Sequence, residues 1–167
     1  YAVTEVGVSP RALPGGDAFV VADSDEHTPD GHITEDLEVR KRMQDKRMRK
    51  NAGLLKWALP PEYHPKLEKE VLLCWGSTYG PCREAVDILR AEGREICMAH
   101  FAQVWPLDAE RYAGVFEGKR VIAVEGNSQG QFASLLKQAG IIKDFELISR
   151  YDGLPFTAEG IAKEVRG

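Results

Sequence analysis

The stretch Val71–Leu89, VLLCWGSTYGPCREAVDIL, decides how the rest of the chain reads. A short apolar run, Val71-Leu72-Leu73-Cys74-Trp75, predicts a strand. It meets the loop Gly76-Ser77-Thr78-Tyr79-Gly80, and Pro81 stands where proline suits the first turn of a helix. Ala85, Val86, Ile88 and Leu89 then recur at helical spacing. Strand, glycine loop and helix together open an α/β unit. A helix N-terminus behind such a loop is also a ready anion site, so the loop either binds a ligand or only turns the chain. Gly76-x-x-x-Gly80 lacks the spacing of a dinucleotide fingerprint, and no Gly-Lys-Ser/Thr follows it. Ser77 and Thr78 can hydrogen-bond their own turn as readily as a phosphate.

Downstream the alternation continues. Strand Ile96–Phe101 follows the stop Glu92-Gly93. Asp108 is placed to cap a helix through about Phe116, which Gly118 ends. Arg120–Glu125, RVIAVE, reads as another apolar strand. Gly126-Asn127-Ser128-Gln129-Gly130 is a second polar glycine loop, and Phe132, Leu135, Leu136 and Ala139 form the buried face of the next helix. Phe145–Ser149 is a last short strand, and Thr157 caps a terminal helix to about Val165. The fold class expected is α/β: a mostly parallel sheet of about four strands with helices on both faces, plus an N-terminal arm. In such sheets the loops after the strands are where ligands bind, which singles out Gly76–Gly80 and Gly126–Gly130.

The first part of the chain is less regular. Ala2–Val8 and Phe19–Ala22 are strand candidates separated by the turn chemistry of Ser9-Pro10 and Leu13-Pro14-Gly15-Gly16. Residues 23–35, DSDEHTPDGHITE, tempt one towards a metal site through Asp25, Glu26, His27, Asp30 and His32. Their spacing is neither H-E-x-x-H nor an EF-hand loop, so a polar loop facing solvent, a ligand or a partner surface is the expectation. Thr34 is a suitable N-cap for a helix running to about Lys50 and ending near Gly53. Acidic residues lead that helix and basic ones close it, in the order the helix dipole favours. Leu37, Val39, Met43 and Met48 make no broad stripe, so it reads as a solvated charged helix. Its basic half could also meet an acidic partner or an anionic cofactor. Leu54–Lys69 is expected to be an ordered connector, anchored by Trp57 and Tyr63, with His64 on the surface.

Composition bounds the rest. Of 167 residues, 43% are hydrophobic and 29% charged, as in a soluble globular protein. The net charge of −4 argues against nucleic-acid binding by the whole surface. No run is long enough for a membrane span, and residues 1–20 lack a signal-peptide pattern. Cys74, Cys82 and Cys97 form no C-x-x-C pair, which argues against a disulfide framework and a local metal centre and favours a cytoplasmic setting. Cys82 sits at a helix start, which favours a thiolate, but no base accompanies it, and it reads as packed and inert. The chain opens on Tyr1 in mid-pattern, so a piece of a longer polypeptide is expected. No catalytic or metal-binding residue can be assigned from these residues alone.

Several stretches, taken in order, carry a resemblance. They are Gly7–Gly15 (GVSPRALPG); Asp23–His27 (DSDEH) with Gly31–Glu35 (GHITE); Lys46–Lys50 (KRMRK); Gly76-Ser77-Thr78-x-Gly80 with Glu84-Ala85; Val124-Glu125-x-Asn127 with Gly130-Gln131; and Tyr151–Thr157 (YDGLPFT). At these intervals the chain resembles the C-terminal part of the alpha subunit of 2-oxoacid:ferredoxin oxidoreductases, the 2-oxoglutarate type above all. The resemblance covers nearly the whole chain. It implies a thiamine-diphosphate enzyme that converts a 2-oxoacid and CoA to acyl-CoA and carbon dioxide, with electrons passing to ferredoxin through an iron–sulfur cluster. It implies a beta subunit as partner, in a dimer of heterodimers, and places the thiamine diphosphate, its Mg and the cluster outside this segment. Residues 1–22 would be the tail of a pyrimidine-binding domain, 23–65 a bridging helix and linker, and 66–167 a transketolase C-terminal-like domain. The family's Tyr-Pro-Ile-Thr-Pro-type substrate loop and cofactor-activating glutamate do not occur here, and Gly126 stands where a second asparagine is expected. The implied role is structural, in assembly. Candidates for contact with substrate, cofactor or the other subunit are Arg11, Asp25, Glu26, His27, His32, Glu125, Asn127, Gln129 and Gln131. Two other readings are a stand-alone anion or small-molecule module using Gly76–Gly80, and part of a transketolase or dehydrogenase E1-type enzyme.

Overall fold

The computed structural model describes residues 1–22 and 24–167. Asp23, which opens both the DSDEH stretch and the expected bridging segment, lies outside the described residues. The chain divides into two compact units, Tyr1–Trp57 and Ala58–Gly167.

The second unit holds a five-stranded sheet. Its strands are β1 (Glu62–His64), β2 (Glu70–Trp75), β3 (Ile96–Phe101), β4 (Arg120–Glu125) and β5 (Glu146–Ser149). They lie in the order β1-β3-β2-β4-β5. β2 pairs in parallel with β3 and β4, β4 pairs in parallel with β5, and β1 adds an antiparallel edge to β3. At the centre, Leu73 stands in register with Ala99 on one side and Ala123 on the other. Val71 to Cys74 are wholly buried, because β2 has strands on both edges and helices on both faces.

The pleat sorts the core into two layers. Val71, Leu73, Cys97, Ala99 and Ala123 face α3 (Ala109–Tyr112) and α4 (Gln131–Gln138), packing with Tyr112, Phe116, Phe132, Ala133 and Leu136. Leu72, Cys74, Met98, Ile122 and Val124 face α2 (Tyr79–Ala91) and α5 (Ala158–Arg166), packing with Cys82, Ala85, Val86, Leu89, Ile161 and Ala162. The starts of the strands are tied by charge. Glu70 accepts from Arg94 at 2.8 and 3.0 Å and from Arg120 at 2.7 Å, and Arg120 grips both oxygens of Glu146 at 2.7 Å. The Arg94 and Arg120 guanidiniums hold the Glu70 carboxyl below the usual carboxylate range.

Several expectations are corrected. β1 lies in the stretch expected to be connector: three residues between prolines are too short to show a period, and a proline-flanked segment suits an edge strand. Tyr63 packs against the core as expected, but Trp57 is 83% exposed and anchors nothing. His64 is half covered and pairs with Asp87 of α2 at 2.7 Å. Gly76–Thr78 is a turn of 3-10 helix that runs straight into α2, so the glycine loop is shorter than it reads. The helix capped by Asp108 stops at Tyr112. Successive turns at Tyr112–Val115, Gly114–Glu117 and Phe116–Lys119 carry the chain on and still bury Phe116.

The first unit is a long helix with an arm of irregular chain. Helix α1 covers Leu37–Lys56. Its cap is Asp36 and not Thr34: Asp36 Oδ1 accepts from Glu38 N and Val39 N, both at 2.9 Å. It passes through Gly53 because the following Leu54-Leu55-Lys56 are good helix formers, and it ends only ahead of Pro60-Pro61. The expected strands at Ala2–Val8 and Phe19–Ala22 do not form, and Phe19 is 94% exposed. Among the described residues no strand pairs with either run. Side chains hold them instead: Tyr1 Oη donates to Val21 O at 2.8 Å, and Ser9 Oγ donates to Ala2 O at 3.2 Å. Gly7 has a φ of 80°, and a Cβ there would stand 2.4 Å from Lys46 O, so only glycine lets the arm lie flush on α1. The helix is therefore not wholly solvated: Met43 is 2% and Lys46 6% exposed.

Leu73→Ala should lower the unfolding free energy by about 2–5 kcal/mol, the range for opening a cavity in a packed core. Urea unfolding followed by circular dichroism reads this, and a loss well under 1 kcal/mol would show that β2 is not the packing centre.

Candidate functional site

From β2 the chain moves to β3 on one side, whereas β4 leads to β5 on the other. β2 and β4 are neighbours, so the connections diverge between their carboxyl ends. In open α/β sheets that divergence leaves a crevice where ligands bind. Here the crevice has a volume of about 250 Å³ and is lined by Trp75, Gly76, Ser77 and Thr78 from one loop and Gly126, Asn127 and Gln131 from the other.

The two walls are built differently. In the first, Thr78 Oγ1 donates to Trp75 O at 2.7 Å and accepts from Trp75 N at 3.3 Å, so Thr78 closes its own turn. The second is organised by Glu125, which is wholly buried at the end of β4. Its carboxylate accepts from Phe132 N at 3.1 Å, Ala133 N at 2.8 Å and Asn127 Nδ2 at 2.7 Å. Asn127 Oδ1 in turn accepts from Gln129 N at 3.1 Å and Gln131 N at 3.2 Å. The carboxylate thus meets the unpaired amides at the start of α4, where negative charge is favoured by the helix dipole. Gly130 takes the left-handed conformation at φ 60°, and a Cβ there would stand 3.0 Å from the ring of Phe145. Glu125 and Asn127 therefore build the loop, and both carboxylate oxygens are occupied.

On the neighbouring edge lies a polar cluster that motif reading passed over. His100 Nε2 is 3.4 Å from Gly76 O, and its ring meets Tyr79 edge-on at 4.8 Å between centroids. Tyr79 Oη donates to Glu62 at 2.7 Å and accepts from Arg83 at 3.1 Å. The available signal for this cluster, as for Trp75 and Ser77, was position at a strand end rather than any motif. Cys82 is no nucleophile here. It is wholly buried, and its hydrogen bond with Cys74, together with burial, pushes the thiol well above its ordinary value.

The remaining candidates belong to the first unit. Glu26 takes a bidentate grip from Arg47, with Nη2–Oε1 at 2.6 Å and Nη1–Oε2 at 3.0 Å, and Arg40 lies 3.8 Å away. Two members of the basic helix, Arg40 and Arg47, thus meet an acid of their own chain. The Arg47 hydrogen bonds hold the Glu26 carboxyl down at about 2. His27 bonds Thr28 O through Nδ1 at 2.9 Å and lies against the Tyr1 ring at 4.3 Å. His32 pairs with Asp30 at 3.0 Å, both exposed, and Thr28 Oγ1 donates to Asp30. Asp25 sits in an exposed bend. Arg11 is exposed beside a groove of about 590 Å³ with Pro10, Ala12, Phe19 and Val20. Glu125, Asn127 and Gln131 are thus brought together, Gln129 joins them through its backbone, and Arg11, Asp25, Glu26, His27 and His32 lie in the other unit. Among the described residues no group of three or more His, Cys, Asp or Glu could hold a metal ion.

No family model matches the chain. Among curated proteins it is 34% identical over 172 residues to 2-oxoacid:ferredoxin oxidoreductase 2, subunit alpha, of Aeropyrum pernix, covering 99% of this chain and 26% of that protein. It is 31% identical over 162 residues to 2-oxoacid:ferredoxin oxidoreductase 1, subunit alpha, of Sulfurisphaera tokodaii, covering 93% and 25%. Among solved structures, the 2-oxoglutarate:ferredoxin oxidoreductase of Magnetococcus marinus with 2-oxoglutarate, coenzyme A and succinyl-CoA bound superposes with a TM-score of 0.73 at 31% identity, covering 99% of this chain and 30% of that one. The chain spans about a quarter of the length of the curated relatives it matches.

Two measurements test the geometry. Glu125→Ala strips the amides of Phe132 and Ala133 of their acceptor and should cost about 1–3 kcal/mol, the penalty for leaving buried donors unmade. Fast hydrogen exchange at those two amides should accompany it. For Glu26 the sign follows from a depressed carboxyl: its contribution is complete above the ordinary 4.5 and disappears as pH falls towards 2. Thermal melting should therefore show stability falling across that window, and a Glu26→Gln variant should lose that part of the pH dependence.

Proposed function

The chain is homologous to the C-terminal part, about 26%, of 2-oxoacid:ferredoxin oxidoreductase alpha subunits, and on that premise we propose that it supplies scaffold and assembly surface to such an enzyme. The parent reaction under this reading converts a 2-oxoacid, 2-oxoglutarate first among them, and CoA to acyl-CoA and carbon dioxide, with electrons leaving to ferredoxin. Residues 66–167 form its transketolase C-terminal-like domain, residues 1–22 close the pyrimidine-binding domain, and 23–65 bridge the two. The partner is a beta subunit in a dimer of heterodimers, in the cytoplasm. No helix among the described residues is long and apolar enough to cross a membrane.

The observation that carries the reading is the alignment of 99% of the chain with one end of these subunits. The chemistry of the polar groups supports a supporting role. A general acid or base must have a free atom to offer a reactant. Glu125 has both oxygens committed to α4 and Asn127, and Glu26 has both committed to Arg47. Cys74 and Cys82 share a hydrogen bond inside one packed layer, Cys97 is buried in the other, and all three are free thiols. What the second unit offers is a crevice rim of amides and hydroxyls, suited to positioning a neighbouring group.

Co-expression tests this. The chain should copurify with the beta subunit when joined to the rest of an alpha subunit. Alone, given 2-oxoglutarate, CoA, thiamine diphosphate, magnesium and an electron acceptor, it should form no acyl-CoA. Turnover by the isolated chain would end the proposal, and so would a complete alpha subunit that fails to bind beta.

A further inference from the structure

We propose that the cavity between the Gly7–Ser9 segment and the basic half of α1 binds a phosphate group. The cavity measures about 280 Å³, and Ser9, Lys46, Arg47 and Lys50 are among the residues that line it. At its wall sits Lys46, only 6% exposed. Its ammonium donates to Tyr1 O at 3.0 Å and to Ser9 Oγ at 2.6 Å, two neutral acceptors. An ammonium carries three donors, so one remains beyond these two bonds. Burying a cation without a counter-charge is costly, and proteins ordinarily pair it. Here the surroundings add to the strain: burial, then Lys50, Arg47 and Arg49, lower the Lys46 pKa.

The local charge balance leaves room for an anion. Among the described residues no Asp or Glu lines the cavity. The nearby Glu26 is bound at both oxygens by Arg47 and so compensates that residue. Lys46 and Lys50 remain in excess, and Lys50 is exposed. The donor set also selects the shape of the anion. A planar carboxylate is best matched by an arginine fork, but the Arg47 fork is already spent on Glu26. The two ammonium groups of Lys46 and Lys50, each a point charge, suit a tetrahedral oxyanion, and the Ser9 hydroxyl, whose own proton goes to Ala2 O, holds the Lys46 ammonium in place. The floor is tightly packed, because Gly7 lies so close to the α1 backbone that even a Cβ would collide.

This site does not rest on the enzyme assignment, and its readout is confined to atoms of the first unit. The probe is inorganic phosphate, titrated into the 15N-labelled 167-residue chain at constant ionic strength held with chloride. The expected result is saturable shifts of the Gly7, Val8 and Ser9 amides and of Lys46–Lys50. Lys50→Gln, on an exposed position, should keep the fold and weaken binding by about three- to tenfold. Lys46→Met should abolish it, with folding checked by thermal melting. Adenosine monophosphate serves as a second probe. Tighter binding than free phosphate assigns a ligand that carries its phosphate on a larger body, and equal binding assigns the free oxyanion. Shifts that chloride reproduces, that do not saturate, or that survive unchanged in Lys50→Gln would overturn the proposal.

Discussion

Everything in the second unit follows from the double burial of β2. Four consecutive residues, Val71 to Cys74, have no contact with water, and both edges of the strand are paired in parallel. A strand so placed needs a helical layer on each face, and α2 with α5 and α3 with α4 are those layers. Parallel pairing also sends the chain back across a face after each strand, so the connections leave from one end of the sheet. The crevice between Trp75 and Gly126 is the space left where two of those connections part. The core and the candidate site are consequences of one constraint.

The charged groups that attract attention in the sequence are largely consumed in building the molecule. Glu125 offsets the amides and dipole of α4, and Asn127 extends that cap round the loop. Glu26 meets the basic face of α1 and fixes the arm against it. In both cases a carboxylate is buried or half buried because several donors converge on it, which offsets its loss of water. A chain that spends its acids in this way is suited to hold a shape for other domains. Lys46 is the counter-example. It is a buried cation whose bonds are to neutral oxygens, and no acid lines its cavity among the described residues.

The legibility of these elements differs for physical reasons. β4 spans Arg120–Glu125 and α5 starts after Thr157, as their patterns say, because an apolar run and a capping hydroxyl are local signals. β1 carried no local signal, since three residues pair with β3 only because β3 is already there. Trp57 has the size of an anchor, since large aromatics are usually buried, yet it is 83% exposed. The loops of the crevice could be placed at the carboxyl edge from strand order alone. That Glu125 would turn inward and cap α4 could not, because the orientation depends on Gly130 and on amides seven and eight residues away.

By itself the sequence determined the alternation of strand and helix from Val71 onward, the two-faced burial of the central strand, and the likeness of the whole chain to one end of a known kind of subunit. These are carried by spacing and order along the chain, which need no partner in space. Only the tertiary structure decided which acids are spent, where Lys46 is buried, and that the arm lies as irregular chain on α1 rather than as strands. For the arm, those outcomes turn on contacts between residues far apart along the chain, such as Glu26 with Arg47 and Tyr1 with Lys46. Such contacts exist only once the backbone has closed on itself, and at Gly7 it closes until there is no room for a Cβ.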